Sequence, residues 1–271
     1  MKSQRITGGG GIQLYVEETG NPQGKPILFI YGFSQSTLSW SKQMNSDLAD
    51  DFRLVALDIR GHGLSDKPVD AYGDSQLWAD DINAVITTLG LDKPVLVGWS
   101  YGVQIMCDYL RFYGDEQISG LNFVAGASKL GEGLYPFVTQ DFLSLVPGFL
   151  TEAVEESVAN LENFIRMQFH NEPSREDVYM MMGFNSLVPP SVRAGLLNRS
   201  VDNDDVLAKL TKPVLLTQSE EDALVVMDTM KYHEEKIQNT QTSIIPRVGH
   251  MSFWEDAERF NSDLRSFINS L

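Results

Sequence analysis

The segment Gly98-Trp99-Ser100-Tyr101-Gly102 constrains the fold of this chain more than any other stretch. It follows an apolar run over 94–97 and precedes a helix-like stretch over 103–112. This order predicts a strand, a sharp turn and a helix, with the Ser100 hydroxyl exposed on the turn. Glycine suits the positions two before and two after the serine, because a Cβ there would clash with neighbouring backbone. The segment therefore predicts a nucleophilic serine held in a strained position.

A serine hydroxyl needs a histidine base and an acid that orients the base. The chain has four histidines, and His250 fits the base because it follows a predicted strand over 242–246, late in the order serine, acid, histidine. We interpret His62 as a structural loop residue and His233 as part of a solvated helix face. For His170, exposure to water is favoured over a place in a pocket.

The acid should follow a strand between Ser100 and His250. The run 213–217 predicts such a strand, and Glu220, Glu221 and Asp222 come directly after it. Asp222 is the best candidate, since it immediately precedes the apolar run 223–226, through which the chain leaves the loop. The preceding predicted strand, 120–124, runs into a segment without a carboxylate.

Two main-chain N–H groups should stabilise the negative charge that develops on a substrate oxygen. Tyr101, the residue after the serine, is the first candidate. The second is Phe33, which follows a predicted strand over 26–30 and a turn at Gly32.

In these motifs the chain resembles the α/β-hydrolase superfamily, and within it the esterase, non-haem haloperoxidase and enol-lactonase branch. The matching segments span nearly the whole sequence in the family's order: 31–33, 58–65, 98–102, 220–222 and 248–250. The resemblance implies an α/β fold with an eight-stranded, mostly parallel sheet, helices on both faces and a Ser100-His250-Asp222 triad. Two residues depart from the family pattern, which usually has histidine at Tyr31 and glycine at Ser219.

The alternation of strands and helices breaks between residues 128 and 205, where proline-punctuated helical segments are predicted. We interpret 128–205 as a helical lid inserted into a core formed by 1–127 and 206–271. Most of its many bulky apolar residues should pack within the lid. Those that face Ser100 would form an apolar, adaptable substrate pocket. The expected pocket residues are Trp99, Tyr31, Phe137, Phe142, Val225 and Met251.

Composition bounds the function further. With 271 residues, of which 42% are hydrophobic, the chain can bury a sizeable core. Its formal charge of −16 argues against nucleic acid and anionic membranes as partners, since both would repel it. No segment has the spacing typical of a metal site, and we expect neither a metal nor an organic cofactor. Oligomeric state is left open.

The opening residues lack the apolar region of a signal peptide, so we expect a cytoplasmic protein. The run 8–11 is all glycine but lacks the frame of a phosphate-binding loop, and we interpret it as a flexible turn. Cys107 is the only cysteine, cannot form an internal disulfide and is expected to be a small buried hydrophobe.

These expectations combine into a serine hydrolase that cleaves a small to medium, largely apolar carboxylic ester or lactone through an acyl-enzyme. Alternatives on the same triad are an enol-lactonase, a C–C bond hydrolase and a perhydrolase of the haloperoxidase type. A ligand receptor with negligible turnover is an alternative of another class.

Overall fold

The computed structural model describes all residues from 1 to 271. Its centre is an eight-stranded sheet with the strand order β1-β2-β4-β3-β5-β6-β7-β8. Strands β1 and β2 are antiparallel to their neighbours, and β3 to β8 run parallel. The strands are β1 Lys2–Thr7, β2 Gln13–Gly20, β3 Pro26–Ile30, β4 Arg53–Leu57, β5 Val95–Trp99, β6 Gly120–Val124, β7 Val214–Ser219 and β8 Thr240–Ile245. This arrangement confirms the predicted fold class.

The central strands are continuous apolar runs, as expected for parallel strands covered on both faces. Every residue of β3, β5 and β6 is buried. The sheet therefore forms the middle of the core, and the carboxyl ends of its parallel strands meet along one edge, where ligands bind in open α/β sheets.

The N-terminal region differs from the sequence-based interpretation. Residues 2–7 form edge strand β1, which was not predicted, and Gly8 and Gly9 of the glycine run are closely packed, whereas Gly10 and Gly11 are exposed. Gly9 is buried, its N–H donates to Asp81 Oδ1 at 2.8 Å, and its carbonyl accepts from Arg60 Nη2 at 3.0 Å. A Cβ on Gly9 would lie 2.6 Å from the Leu77 carbonyl oxygen. Close approach, and not flexibility, explains glycine there.

Twelve α-helices and three short 3-10 helices surround the sheet. The α-helices are α1 Ser41–Met44, α2 Leu48–Asp51, α3 Ser75–Leu89, α4 Tyr101–Tyr113, α5 Gln140–Leu150, α6 Val154–Met167, α7 Arg175–Ser186, α8 Pro190–Leu197, α9 Asp204–Leu207, α10 Asp228–Lys236, α11 Ser252–Glu255 and α12 Ala257–Asn269. The 3-10 helices are Gly9–Gly11, Thr37–Trp40 and Gly131–Phe137. No helix combines the length and the apolar character needed to cross a bilayer.

Helices α5 to α8 lie in the segment between β6 and β7, where the lid was predicted. The two ends of that segment meet in an antiparallel bridge between Lys129 and Asp202. Its apolar residues, such as Phe149 and Leu196, belong to the same buried cluster of 73 residues as the sheet. The inserted helices therefore share one core with the sheet, and their division into a separate domain stays a prediction.

Candidate active site

Ser100 lies on the predicted turn between β5 and α4. Its backbone is strained, with φ 54° and ψ −117°, a region that non-glycine residues rarely adopt. The flanking glycines are required by contact: a Cβ on Gly98 would lie 2.8 Å from the Gly102 carbonyl oxygen, and one on Gly102 would lie 2.3 Å from that of Ile30. The turn therefore presents the serine at the edge of the sheet.

His250 and Asp222 are brought together, although 28 residues separate them in the chain. Nδ1 of His250 lies 2.8 Å from Asp222 Oδ2, and both side chains are at most 2% exposed. The other carboxylate oxygen of Asp222 accepts the main-chain N–H groups of Leu224 and Val225 at 2.8 and 2.9 Å. Glu220 and Glu221 are exposed on the same loop. The carboxylate therefore has one fixed orientation toward the imidazole.

The histidine loop is also fastened to the serine turn. Trp99, which precedes Ser100, donates its indole N–H to the His250 carbonyl at 3.0 Å, and the two rings lie 5.3 Å apart. The N–H of Gly249 donates to Glu255 at 2.6 Å. These contacts hold His250 next to Trp99, the residue that leads into the turn carrying Ser100.

The loop after β3 passes very close to the serine. A Cβ on Gly32 would lie 2.8 Å from the Ser100 Cβ, so only glycine allows this approach. The N–H of Phe33 has no acceptor among the hydrogen bonds of the protein, and Tyr101 opens α4, where an N–H has no acceptor within the helix. Both predicted N–H groups are therefore free to bind an oxyanion.

Tyr31 lies beneath this loop and is fully buried. Its hydroxyl donates to Asp58 Oδ1 and accepts from the Ile59 N–H, both at 3.0 Å. Asp58 also accepts the N–H groups of Thr37 and Leu64 at 2.9 and 2.8 Å. Tyr31 thus braces the loop through a main-chain group and a carboxylate, as expected of a buried phenol.

The imidazole of His62 holds the same loop through Ser34. Its Nε2 accepts the Ser34 N–H at 3.1 Å, so Nδ1 carries the proton and donates to the Arg60 carbonyl at 3.0 Å. Burial lowers the pKa of His62 to about 3, which keeps the ring neutral. Its predicted structural role agrees with this placement.

His233 corrects the sequence-based interpretation, since it is buried and not solvated. Its Nε2 lies 3.1 Å from Ser128 Oγ, and burial lowers its pKa to about 4. The charged neighbours that suggested a solvated helix lie on the other sides of α10. His170 is exposed, as favoured, and Cys107 is buried, as expected.

An apolar cavity of about 340 Å³ opens at Ser100. Of its 18 lining residues, 15 are hydrophobic, and none carries a charge. The sheet part of the chain contributes Ser100, Tyr101 and Phe33, among others. The segment 128–205 contributes eleven of the 18, and six of these lie on the inserted helices: Phe142, Leu143, Val146, Phe164, Leu196 and Leu197. The size and lining are typical of a site for a small apolar ligand.

Four of the predicted pocket residues do not line this cavity, whereas Phe142 and Val225 do. Trp99 is buried under the His250 loop, and Tyr31 is buried under the loop after β3. Met251 is fully buried in the core, and the ring of Phe137 packs against that of Tyr232, with the ring centroids 4.8 Å apart. Trp99, Tyr31 and Met251 were predicted because they are next to the predicted motifs in sequence. In the structure their side chains lie below the site and not in it.

Two buried arginines attach the inserted segment to the site, and no sequence pattern indicates their partners. Arg199 forms an ion pair with Asp108 of α4 at 2.6 Å and donates to the Tyr101 hydroxyl at 3.2 Å. Arg193 donates to Ser34 Oγ at 3.1 Å and to the Asn185 carbonyl at 2.8 Å, and has no carboxylate partner. Burial lowers the pKa of Arg193 to about 10.

The alpha/beta hydrolase fold family matches residues 25–257, which is most of the chain. The chain belongs to this family. The predicted resemblance is thereby confirmed, and this alpha/beta hydrolase falls in the branch that contains esterases and non-heme haloperoxidases.

Three similar proteins illustrate that branch. The crystal structure of the esterase RhEst1 from Rhodococcus sp. ECU1013 has a TM-score of 0.95 and 35% identity, and covers 100% of both chains. The bifunctional esterase/perhydrolase DCH of Acinetobacter calcoaceticus is 26% identical over 98% of this chain and 99% of its own. Non-heme chloroperoxidase CPO-A1 of Kitasatospora aureofaciens is 26% identical over 96% of this chain and 97% of its own.

One cavity residue escaped the sequence analysis although a signal for it was present. Gln104 lies in the first turns of α4, the helix that begins directly after Ser100, and this closeness to the serine in sequence was the signal. The apolar wall residues from α5, α6 and α8 had no comparable signal, since helical periodicity does not say which neighbour a face meets.

Proposed function

We propose that this alpha/beta hydrolase cleaves uncharged, largely apolar carboxylic esters through an acyl-enzyme on Ser100. The observation that carries the proposal is the strained Ser100 at the mouth of an apolar cavity, beside a His250-Asp222 pair with a 2.8 Å contact. The similarity to esterases over the whole chain supports the same reaction.

In the proposed reaction Ser100 Oγ attacks the ester carbonyl carbon while His250 Nε2 removes the serine proton. Asp222 keeps the proton of the imidazole on Nδ1, so that Nε2 is free to act as the base. The N–H groups of Phe33 and Tyr101 hold the oxyanion.

Collapse of that intermediate expels the alcohol, which takes the proton from His250 and leaves an acyl-Ser100 ester. Water then attacks the acyl carbon, His250 accepts its proton, and the carboxylic acid departs as Ser100 is regenerated. The cycle consumes one water and uses side chains and main-chain N–H groups of this protein.

The cavity lining supports an uncharged substrate. Because no charged side chain faces the cavity, an anionic or cationic group on the substrate would lose its hydration without gaining a partner. A volume of about 340 Å³ suits an acyl or alcohol portion of medium length. We propose that the inserted segment 128–205 acts as the lid that encloses this portion.

Perhydrolysis is a second candidate, supported by the likeness to the esterase/perhydrolase of Acinetobacter calcoaceticus. Here hydrogen peroxide replaces water in attacking acyl-Ser100, and a peracid leaves in place of the acid. The first half of the reaction is unchanged.

Initial rates on p-nitrophenyl esters with acyl chains of two to twelve carbons test the proposal. We expect turnover with an optimum at medium length, since each buried methylene contributes about 0.8 kcal/mol until the cavity is full. Ser100→Ala, measured in parallel, should have a kcat lower by about a million-fold, the loss found for a comparable serine nucleophile. Equal rates for both proteins would contradict the proposal, and peracid formed on addition of peroxide would favour perhydrolysis.

A further inference from the structure

Gln104 is the polar exception in the cavity wall. Apart from the Ser100 hydroxyl and two tyrosine hydroxyls, its amide is the only polar side-chain group among the lining residues. The side chain is 3% exposed, so it lies inside the protein and not at a solvated rim.

The two ends of this amide have different surroundings. The Nε2 group donates to the Ala127 carbonyl at 2.5 Å and to the Lys129 carbonyl at 3.4 Å, which fixes the orientation of the amide. With Nε2 committed to two carbonyls, Oε1 is the atom that remains. Oε1 is buried and has no hydrogen-bond partner in the protein.

A buried acceptor without a partner is destabilising, and native proteins rarely keep one without a reason. Of the eleven buried side-chain atoms that lack a partner, Oε1 of Gln104 alone belongs to a residue lining the cavity. The Tyr101 hydroxyl, by contrast, is paired with the Leu196 carbonyl and Arg199.

We propose that Gln104 is a specificity-determining residue whose Oε1 accepts a hydrogen bond from an N–H or O–H group of the substrate. The inference rests on the proposed ester hydrolysis and narrows its substrate class to esters with one donor in an otherwise apolar acyl portion. Gln104 is the fourth residue of α4, the helix that begins directly after Ser100. Both side chains line the same cavity, so an ester whose carbonyl lies at Ser100 can present a donor to Gln104 from its acyl portion.

Two isosteric substrate pairs test this directly. For a hydroxyl donor, p-nitrophenyl 3-hydroxybutanoate is compared with p-nitrophenyl 3-methylbutanoate. For an amide donor, the p-nitrophenyl ester of N-acetyl-β-alanine is compared with p-nitrophenyl 5-oxohexanoate, in which a methylene replaces the N–H. The readout is the ratio of kcat/KM within each pair, which is independent of the fraction of active protein.

We expect the unmodified protein to prefer the donor-bearing ester about ten- to a hundred-fold in at least one pair. The pair that responds tells which donor the site accepts. In Gln104→Met the preference should fall to about one or below. As a matched control, Leu134→Met in the same wall should change both rates of a pair together and preserve their ratio.

A ratio near one in both pairs for the unmodified protein would overturn the inference, even if Gln104→Met failed to fold. Persistence of the preference in a folded Gln104→Met protein would also overturn it. If all four esters resisted hydrolysis, the proposed function itself would fail and the inference with it. Hydrolysis without selectivity would leave the proposed function intact.

Discussion

The floor and the roof of the cavity are held by different forces. The floor lies at the carboxyl ends of the parallel strands, where Asp58 and Asp222 each accept several hydrogen bonds and His62 is fixed in one tautomer. The roof comes from the inserted helices, where Phe149 and Phe164 pack edge to face at 5.0 Å. Directional hydrogen bonds hold individual atoms in defined positions. Apolar packing defines the shape of the cavity wall and tolerates substitution of one apolar side chain by another. Changes in the floor should therefore affect rate and stability, and changes in the roof should affect substrate choice.

The largest effect should follow a change at Asp222. Asp222→Asn favours the wrong imidazole tautomer and should lower kcat about ten thousand-fold, the loss found for a comparable triad. Steady-state kinetics on a p-nitrophenyl ester measure it. Glu221→Gln, exposed on the same loop, is the matched control and should stay near the parent rate. If Glu221→Gln instead lost most of its activity, the catalytic acid would be Glu221 and not Asp222.

Tyr31→Phe tests the bracing of the floor. The change leaves the buried Ile59 N–H without an acceptor and removes one of the two hydrogen bonds that Asp58 Oδ1 accepts. It should therefore lower the free energy of unfolding by about 1–3 kcal/mol. Urea denaturation measures this, with Tyr179→Phe on the exposed face of α7 as control. Identical unfolding midpoints for Tyr31→Phe and the parent would show that the hydroxyl has no structural task.

The junction of floor and roof should be sensitive to acid through His233. Burial lowers its pKa to about 4, whereas an unfolded histidine titrates near 6.5. The stabilisation from the neutral ring is thus complete above about pH 6.5 and is lost as the pH falls toward 4. Between pH 7 and 5 His233 should remove about 2 kcal/mol of stability.

The free energy of unfolding, measured by urea denaturation at several pH values between 7 and 5, should therefore change less with pH for His233→Gln than for the parent. The exposed His170→Gln serves as the control and should keep the parent's slope. Parallel slopes for His233→Gln and the parent would show that His233 does not couple the junction to pH.

The smallest effect is expected in the roof. Leu143 lies on α5 and lines the cavity, so Leu143→Ala enlarges the cavity. The preferred acyl chain should become longer by one or two methylenes, and each added methylene should change the relative kcat/KM about fourfold. Leu150→Ala on the exposed end of the same helix is the control. A roof change that lowered all rates equally, with no shift in preference, would break the contrast with the floor.

The same contrast explains how much the sequence could predict. Ser100, Asp222 and Phe33 were assigned because each follows a predicted strand at a fixed short distance, and parallel strands end at one edge. The fold class followed from the same alternation of strands and helices. The residues of the roof depend on how four inserted helices turn toward one another, which no local pattern records.

The sequence-based errors have a common physical cause. Edge strand β1 buries only Ile6, so it lacks the apolar alternation that identifies a strand, and it is stabilised by pairing with β2 instead. His233 has charged neighbours in sequence but meets Phe123 and Ser128 in space. Both were decided by contacts between distant segments.

The central claim is that Ser100 is the nucleophile, and covalent labelling tests it most directly. After treatment with an alkyl p-nitrophenyl phosphonate, intact mass spectrometry should show one adduct, and peptide mapping should locate it on Ser100. Ser100→Ala should remain unlabelled, while Ser128→Ala, a buried serine outside the cavity lining, should label like the parent. An adduct on any other serine, with Ser100 unmodified, would contradict the account.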